Sequence, residues 1–349
     1  MSRYKVLSIR GRPVLAIPSG AKRLELGAVT RYQPQTLKKA LLQQCLLWTL
    51  RCGLDRWTLA PSECLPKPFD SFPLEEWLAD VGRSFGYSDT RALIVWPTQP
   101  ERQRVYLHLL RPDGAAIGFA KISLDSDTDE RLVAEAAALE AIRAIRPSTF
   151  HVPAVLAAGW VRSRRFLVLE PVPASARPVR ANERSFPRKC LAEYASGRRT
   201  AALGALAQFA WWRHYRASVD PDSPFAREVE AMADRPAVLT RVHGDLGPAN
   251  MLQCRGRLWI LDWEESNEWA PRLTDPISFD LGLRSRLYRE GAARAWERFA
   301  RRWLRPDDCQ NRCDVLLALA FLCGAGREDA IGLVRAWPSR GPVTARRAA

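Results

Sequence analysis

Arg241-Val242-His243-Gly244-Asp245-Leu246-Gly247-Pro248-Ala249-Asn250-Met251-Leu252, resuming as Leu258-Trp259-Ile260-Leu261-Asp262-Trp263-Glu264, is the stretch on which the fold is read. It places a carboxylate and an amide five positions apart on a loop, and Gly247-Pro248 keeps that loop from becoming a helix. An apolar strand, Leu258 to Leu261, then ends in a second carboxylate. A hairpin around Arg255-Gly256-Arg257 turns the chain back, so that Asp262 returns beside Asp245 and Asn250. Three oxygen-bearing side chains on adjacent loops suit a hard cation such as Mg²⁺, which keeps waters and phosphate oxygens in its shell.

Working outward, the upstream pattern is strand-rich. Tyr4 to Ile9 and Pro13 to Pro18 flank Arg10-Gly11-Arg12 as a hairpin. Thr36 to Leu54 has near-helical apolar spacing and Gly53 as a stop, and Pro61 to Pro73 is a Pro-rich connector. Strands are expected at Ala92 to Trp96, Arg104 to Leu110 and Ala115 to Leu124, the last two joined through Asp113-Gly114. A helix follows from Asp129 to Ile145, stopped by Pro147, then an extended stretch from Val152 and a strand from Arg165 to Val172. Beyond Arg188 the chain is mostly helical apart from the loop quoted above. Lys121 is the single lysine between Lys67 and Lys189 and sits among apolar strand residues, where an ammonium needs an anionic partner.

His-Gly-Asp-x-x-x-x-Asn followed by hydrophobic-Asp-Trp resembles the catalytic loop and metal-binding segment of the aminoglycoside phosphotransferase and choline kinase family. The resemblance covers residues 91 to 283. It implies an α+β, bilobal, protein-kinase-like fold: an N-terminal extension at 1–88, a small β-rich N-lobe at 89–172 and a larger, mainly helical C-lobe at 173–349. The implied activity is transfer of the γ-phosphoryl group of ATP or GTP to a hydroxyl of a small molecule. Asp245 would accept the hydroxyl proton, His243 would brace the loop, and Asn250 and Asp262 would hold Mg²⁺. Lys121 would hold the α- and β-phosphates, paired with Glu135 of Ala134-Glu135-Ala136-Ala137-Ala138-Leu139, with Glu140 as the alternative partner. Leu169 and Glu170, within Val168 to Val172, would form the hinge that meets the adenine. Asp275 resembles the family's later Asp, which binds the loop backbone, and a helix N-cap is an equal reading. One departure stands out: Pro97 to Arg104, where the family covers the phosphates, contains no glycine, and Arg102 or Arg104 would have to serve there as cations.

Composition narrows the alternatives. At 47% hydrophobic and 26% charged residues the chain has a globular profile. It contains no apolar run long enough to span a bilayer, and charges interrupt the first segment as they would not in an export signal; a cytoplasmic protein is expected. The net charge of +15 comes mostly from scattered Arg, without a basic block interleaved with aromatics, so no nucleic-acid partner is expected. Thr36 to Leu54, with Lys38, Lys39 and Arg51, could contact a membrane surface, but packing onto its own domain is the commoner role. Cys309, Cys313 and Cys323 lack nearby His and are expected as helix-packed thiols. Glu228, Glu230, Asp307, Asp308 and Asp314 are the acids available to a cationic acceptor. The competing reading is a pseudokinase or scaffold that binds nucleotide or a partner without catalysis.

Overall fold

The computed structural model describes residues 3–32, 37–62, 72–97, 103–232, 235–287, 292–305 and 308–338. Most of the Pro-rich connector, the stretch 98–102 with Arg102, and Asp307 lie outside them. The architecture is α+β, and it divides into two compact units.

The first unit comprises residues 1–140 and 152–176. Strands β1 (Tyr4–Ile9) and β2 (Arg12–Pro18) close through Arg10 and Gly11, both at positive φ, as the hairpin reading requires. Helices α1 (Lys22–Arg31), α2 (Leu37–Cys52) and the short α3 (Asp55–Thr58) follow. Then come β3 (Ala60–Ser62), α4 (Leu74–Ser84), β4 (Arg91–Val95), β5 (Arg104–Leu110), β6 (Ala116–Ser123) and α5 (Ser126–Ala144). After β7 (Phe150–His151), which belongs to the second unit, β8 (Val155–Val161) and β9 (Arg164–Leu169) complete the sheet. It has eight antiparallel strands in the order β3-β1-β2-β4-β5-β6-β9-β8.

Period-two alternation explains why helices cover both faces. Ala16, Ala92 and Ile94 pack with Leu74, Trp77, Leu78 and Val81 of α4. Their neighbours Leu15, Ile17 and Leu93 point the other way, into a cluster with Leu24, Val29, Leu46, Leu47 and Leu50 of α1 and α2. The turn between β5 and β6 carries a second constraint. Gly114 has φ +82°, and a Cβ on Gly27 of α1 would come within 2.8 Å of the Gly114 Cα, so turn and helix touch backbone to backbone. The described residues among 1–88, expected as an extension, supply three strands and a covering layer to the sheet and unit that hold β4–β6, β8 and β9.

The second unit comprises residues 141–151 and 177–349. Its elements are β10 (Arg177–Pro178), α6 (Arg188–Tyr194), β11 (Arg199–Ala201), α7 (Ala210–Ser218), α8 (Pro224–Glu230), β12 (Ala237–Val242), β13 (Met251–Cys254), β14 (Arg257–Ile260) and β15 (Asn267–Pro271). Helices α9 (Thr274–Leu287), α10 (Ala292–Trp303), α11 (Cys309–Gly324) and α12 (Glu328–Arg335) complete it. Two small sheets, β10-β13-β14-β7 and β11-β12-β15, frame the loop quoted first. Helix α11 is buried on every side from Cys313 to Cys323, which makes it the central core helix. Cys313 and Cys323 lie within it as free thiols, pushed by burial up to about 11 and about 12.

Removing residues 1–62 strips β1–β3 and both covering helices from β4, uncovering Leu93 and Leu110. The shortened protein is expected to aggregate or to lose cooperative urea unfolding. An unchanged unfolding midpoint would contradict the single-sheet assignment.

Candidate functional site

The loop after β12 is held from beneath by one carboxylate. Asp275, in the first turn of α9 and fully buried, accepts the backbone N–H of His243 at 2.8 Å and of Gly244 at 2.9 Å. It also accepts the Tyr194 hydroxyl at 2.8 Å. Burial pushes the Asp275 carboxyl above its ordinary range, while the His243 ring and these hydrogen bonds oppose that rise. Of the two readings offered for Asp275, the backbone-binding one describes the geometry. Gly244 is obligatory in this bend: its φ is +86°, and a Cβ would lie 2.2 Å from the Glu265 carbonyl oxygen.

His243 is locked at both ring nitrogens. The Leu261 carbonyl, 2.8 Å from Nε2, only accepts, so Nε2 carries the proton, and Nδ1 accepts the Asp245 N–H at 3.3 Å. A ring so engaged braces the loop. Its ring centroid lies 4.7 Å from that of Trp263, which is fully buried, donates Nε1–H to the Ile260 carbonyl and packs beside Tyr194 and Phe150. Trp263 is thus the anchor that follows Asp262 in sequence. Asn250 donates through Nδ2 to the Asp245 carbonyl at 2.9 Å and to Asp245 Oδ2 at 3.3 Å, which leaves Oδ1 as the atom it can offer a cation. The Asn250 carbonyl accepts the Leu261 N–H at 2.9 Å, so the residue before Asp262 is tied to both His243 and Asn250. Asp262 itself has φ 64° and ψ 61°, a left-handed conformation that costs a non-glycine residue about 1 kcal/mol or more and that collects at functional sites.

The sequence reading missed Arg327. From the N-terminus of α12, its Nη1 donates to Asp245 Oδ1 at 2.6 Å and to Ser278 Oγ at 2.9 Å, and its Nη2 donates to Asp329 at 2.9 Å. Ser278 in turn donates to the Leu246 carbonyl. Burial works against the Arg327 charge, but Asp329, Asp245 and Glu265 outweigh it and lift the guanidinium above its ordinary range. The two residues are 82 positions apart, and no local pattern joins them.

In the first unit, Lys121 on β6 donates to both carboxylate oxygens of Glu135 on α5, at 2.8 and 2.7 Å. Lys121 is 4% exposed and Glu135 is fully buried. The pairing falls to Glu135 as the resemblance implied, with Glu140 on another helical face. Leu169 ends β9, buried and paired with Phe119 and Val155. Glu170 closes the β8–β9 end: its N–H donates to the Ala154 carbonyl at 2.8 Å, and its carboxylate accepts the Ala154 N–H at 3.1 Å. The Glu170 N–H, one backbone donor of the stretch Val168 to Val172 expected to meet the adenine, is thus engaged at the end of the sheet. Arg104, a suggested phosphate cation, is buried on β5 with its guanidinium 5.5 Å from the Tyr106 ring centroid.

Of the acids weighed for a cationic acceptor, the four among the described residues have structural partners. Glu228 binds Arg312 and the Trp337 Nε1–H, Asp314 binds Arg272 and Gln310, Glu230 binds Arg216, and Asp308 caps α11.

No family model matches the chain, and no curated protein does. Among solved structures it is similar to a thermostable mutant of aminoglycoside phosphotransferase APH(4)-Ia in a ternary complex with ADP and hygromycin B. The identity is 16% over 75% of this chain and 95% of that one, with a TM-score of 0.45. It is also similar to choline kinase LicA from Streptococcus pneumoniae, at 13% identity over 76% of this chain and 99% of that one, TM-score 0.45. The GDP complex of aminoglycoside 2'-phosphotransferase-IIIa gives 11% identity over 76% and 98%, TM-score 0.42.

Two stability measurements check these arrangements. Lys121→Met strands a buried carboxylate and is expected to cost about 3–5 kcal/mol in denaturant titration, whereas Lys121→Met with Glu135→Leu recovers most of the loss. Asp275→Ala leaves three buried donors without an acceptor and is expected to cost roughly 3 kcal/mol or more. A loss below about 1 kcal/mol would mean that the loop does not depend on that carboxylate.

Proposed function

We propose that the protein is a phosphotransferase that moves the γ-phosphoryl group of ATP, or of GTP, to a hydroxyl of a small molecule in a Mg²⁺-dependent reaction. The observation that carries this is the hydrogen-bonded pair Asp245–Asn250 on a loop whose far side, through Leu261, is tied to Asp262. An amide oxygen and a carboxylate are the donors Mg²⁺ prefers, so Asn250 and Asp262 are the residues proposed to hold it, and the ion would neutralise charge on phosphate oxygens. In the first unit, Lys121 is the cation proposed to meet phosphate oxygens, with Glu135 holding its ammonium in place. Leu169 and Glu170 stay proposed as the base-facing hinge only through groups other than the Glu170 amide.

Asp245 is proposed as the group that receives the acceptor hydroxyl. With Oδ1 bound by Arg327 and Oδ2 near the Asn250 amide, it is held as an orienting carboxylate. That suits phosphoryl transfer through a loose transition state, in which positioning outweighs early proton removal. The proposed acceptor is a sugar, an amino alcohol or an aminoglycoside-like alcohol. The structural engagement of Glu228, Glu230, Asp308 and Asp314 weighs against a polycation held by those acids.

A second reading is a nucleotide-binding scaffold without turnover, and one observation favours it: the guanidinium 2.6 Å from Asp245 occupies an oxygen that a hydroxyl would use. Labelled ATP incubated with Mg²⁺ and a pool of hydroxylated metabolites separates the two. The enzyme reading expects a labelled product and at least ~100-fold lower turnover in Asp245→Asn. It also expects thermal stabilisation by ATP only with Mg²⁺, lost in Asp262→Asn. Stabilisation by ATP with no labelled product would establish the scaffold instead.

A further inference from the structure

Helix α2 has two apolar faces, and only one is used inside the protein. Leu46, Leu47 and Leu50 pack into the cluster that α1 shares with the sheet, and Gln43 donates to the Val29 and Tyr32 carbonyls of the α1 end. The opposite face carries Leu41 and Trp48, seven residues apart and hence on one side of the helix, at 66% and 60% exposure. Beyond α2, Leu54 at 39% and Trp57 at 75% are exposed as well. Single exposed apolar residues are ordinary, but here two tryptophans and two leucines are concentrated between residues 41 and 57.

Among the described residues of α2, α3 and the start of α1, the exposed charged side chains are cationic. Arg51 and Arg56 are exposed, and the Arg56 guanidinium lies 5.4 Å from the Trp57 ring centroid. Lys22 and Arg23, also exposed, stand at the adjoining start of α1, where the Lys22 ammonium donates to the Arg51 carbonyl. The nearby acids Asp55 and Glu25 share Lys5, at 2.8 and 2.5 Å, which leaves one negative charge in that trio against the exposed Lys22, Arg23, Arg51 and Arg56.

From this juxtaposition we infer that α2 and α3 form a docking surface for an anionic phospholipid bilayer. Tryptophan and leucine would enter the headgroup boundary while the arginines meet lipid phosphates. Indole rings favour that boundary because one edge is apolar and the N–H finds polar partners there. Cations at the rim add attraction of long range, consistent in sign with the whole chain's charge of +15. This surface is independent of the proposed transfer reaction and stands or falls without it.

The test is flotation of the full-length protein with vesicles of equimolar phosphatidylcholine and phosphatidylglycerol at low salt, against vesicles of phosphatidylcholine alone. Binding is expected only to the anionic vesicles, weakening as salt is added. Trp48→Gln with Trp57→Gln is expected to lower partitioning by roughly tenfold or more. Arg51→Glu with Arg56→Glu is expected to lower it at least ~fivefold per residue. All four side chains are exposed, so melting midpoints should match the parent and exclude misfolding as the cause. Failure of the parent to float overturns the inference. So does equal binding by the tryptophan variant, which would assign vesicle binding to charge elsewhere. Concentration-dependent self-association that the tryptophan substitutions abolish, without vesicle binding, would assign the patch to a second copy of the chain and likewise overturn it.

Discussion

The candidate site depends on a buried carboxylate that binds backbone. Asp275 collects the amides of His243 and Gly244 and the Tyr194 hydroxyl, and so fixes the bend at which β12 leaves its sheet. A carboxylate in this setting is costly to desolvate and is stabilised by the donors it faces, so neither loop nor carboxylate is stable there alone. Every later feature inherits the bend. The glycine is required by it, the His243 ring is aimed by it at Leu261, and the Asp245–Asn250 contact lies on the segment it directs.

The buried Lys121–Glu135 pair is the corresponding constraint of the first unit. Such a pair seldom adds net stability, since desolvating two charges offsets their attraction, and a hydrophobic pair of similar volume is often as stable. What this pair does supply is a positioned ammonium, since Glu135 holds the Lys121 Nζ through both carboxylate oxygens. Asp262 makes the same argument in backbone terms: a left-handed conformation at an aspartate is an expense that the surrounding hydrogen bonds and the Trp263 anchor sustain.

Much of this was legible in the chain. The Asp113-Gly114 turn, the Arg10-Gly11 and Arg255-Gly256 hairpins and the strands between them follow from local sterics, and each strand boundary moved by only a few residues. The pairing of Asp245 with Asn250 was legible for the same reason, because five residues containing Gly247-Pro248 leave few conformations. The unity of residues 1–88 with the rest of the sheet was not. Strand order is a matter of which edges meet, and the Pro-rich stretch between β3 and α4 looks like a boundary until β2 is seen paired with β4.

The sequence by itself determined the local pieces: turns that need glycine, strands with one face for each of two cores, and a loop rich in oxygen donors. Its physical means were short-range, namely backbone sterics and side-chain periodicity. Only the tertiary structure decided which distant groups meet. It brought Arg327 to Asp245, gave Glu228, Glu230, Asp308 and Asp314 arginine, indole or backbone partners, and left one apolar face of α2 open while burying the other. Those outcomes come from packing among elements many residues apart, and packing selects partners by shape and charge that no single segment carries.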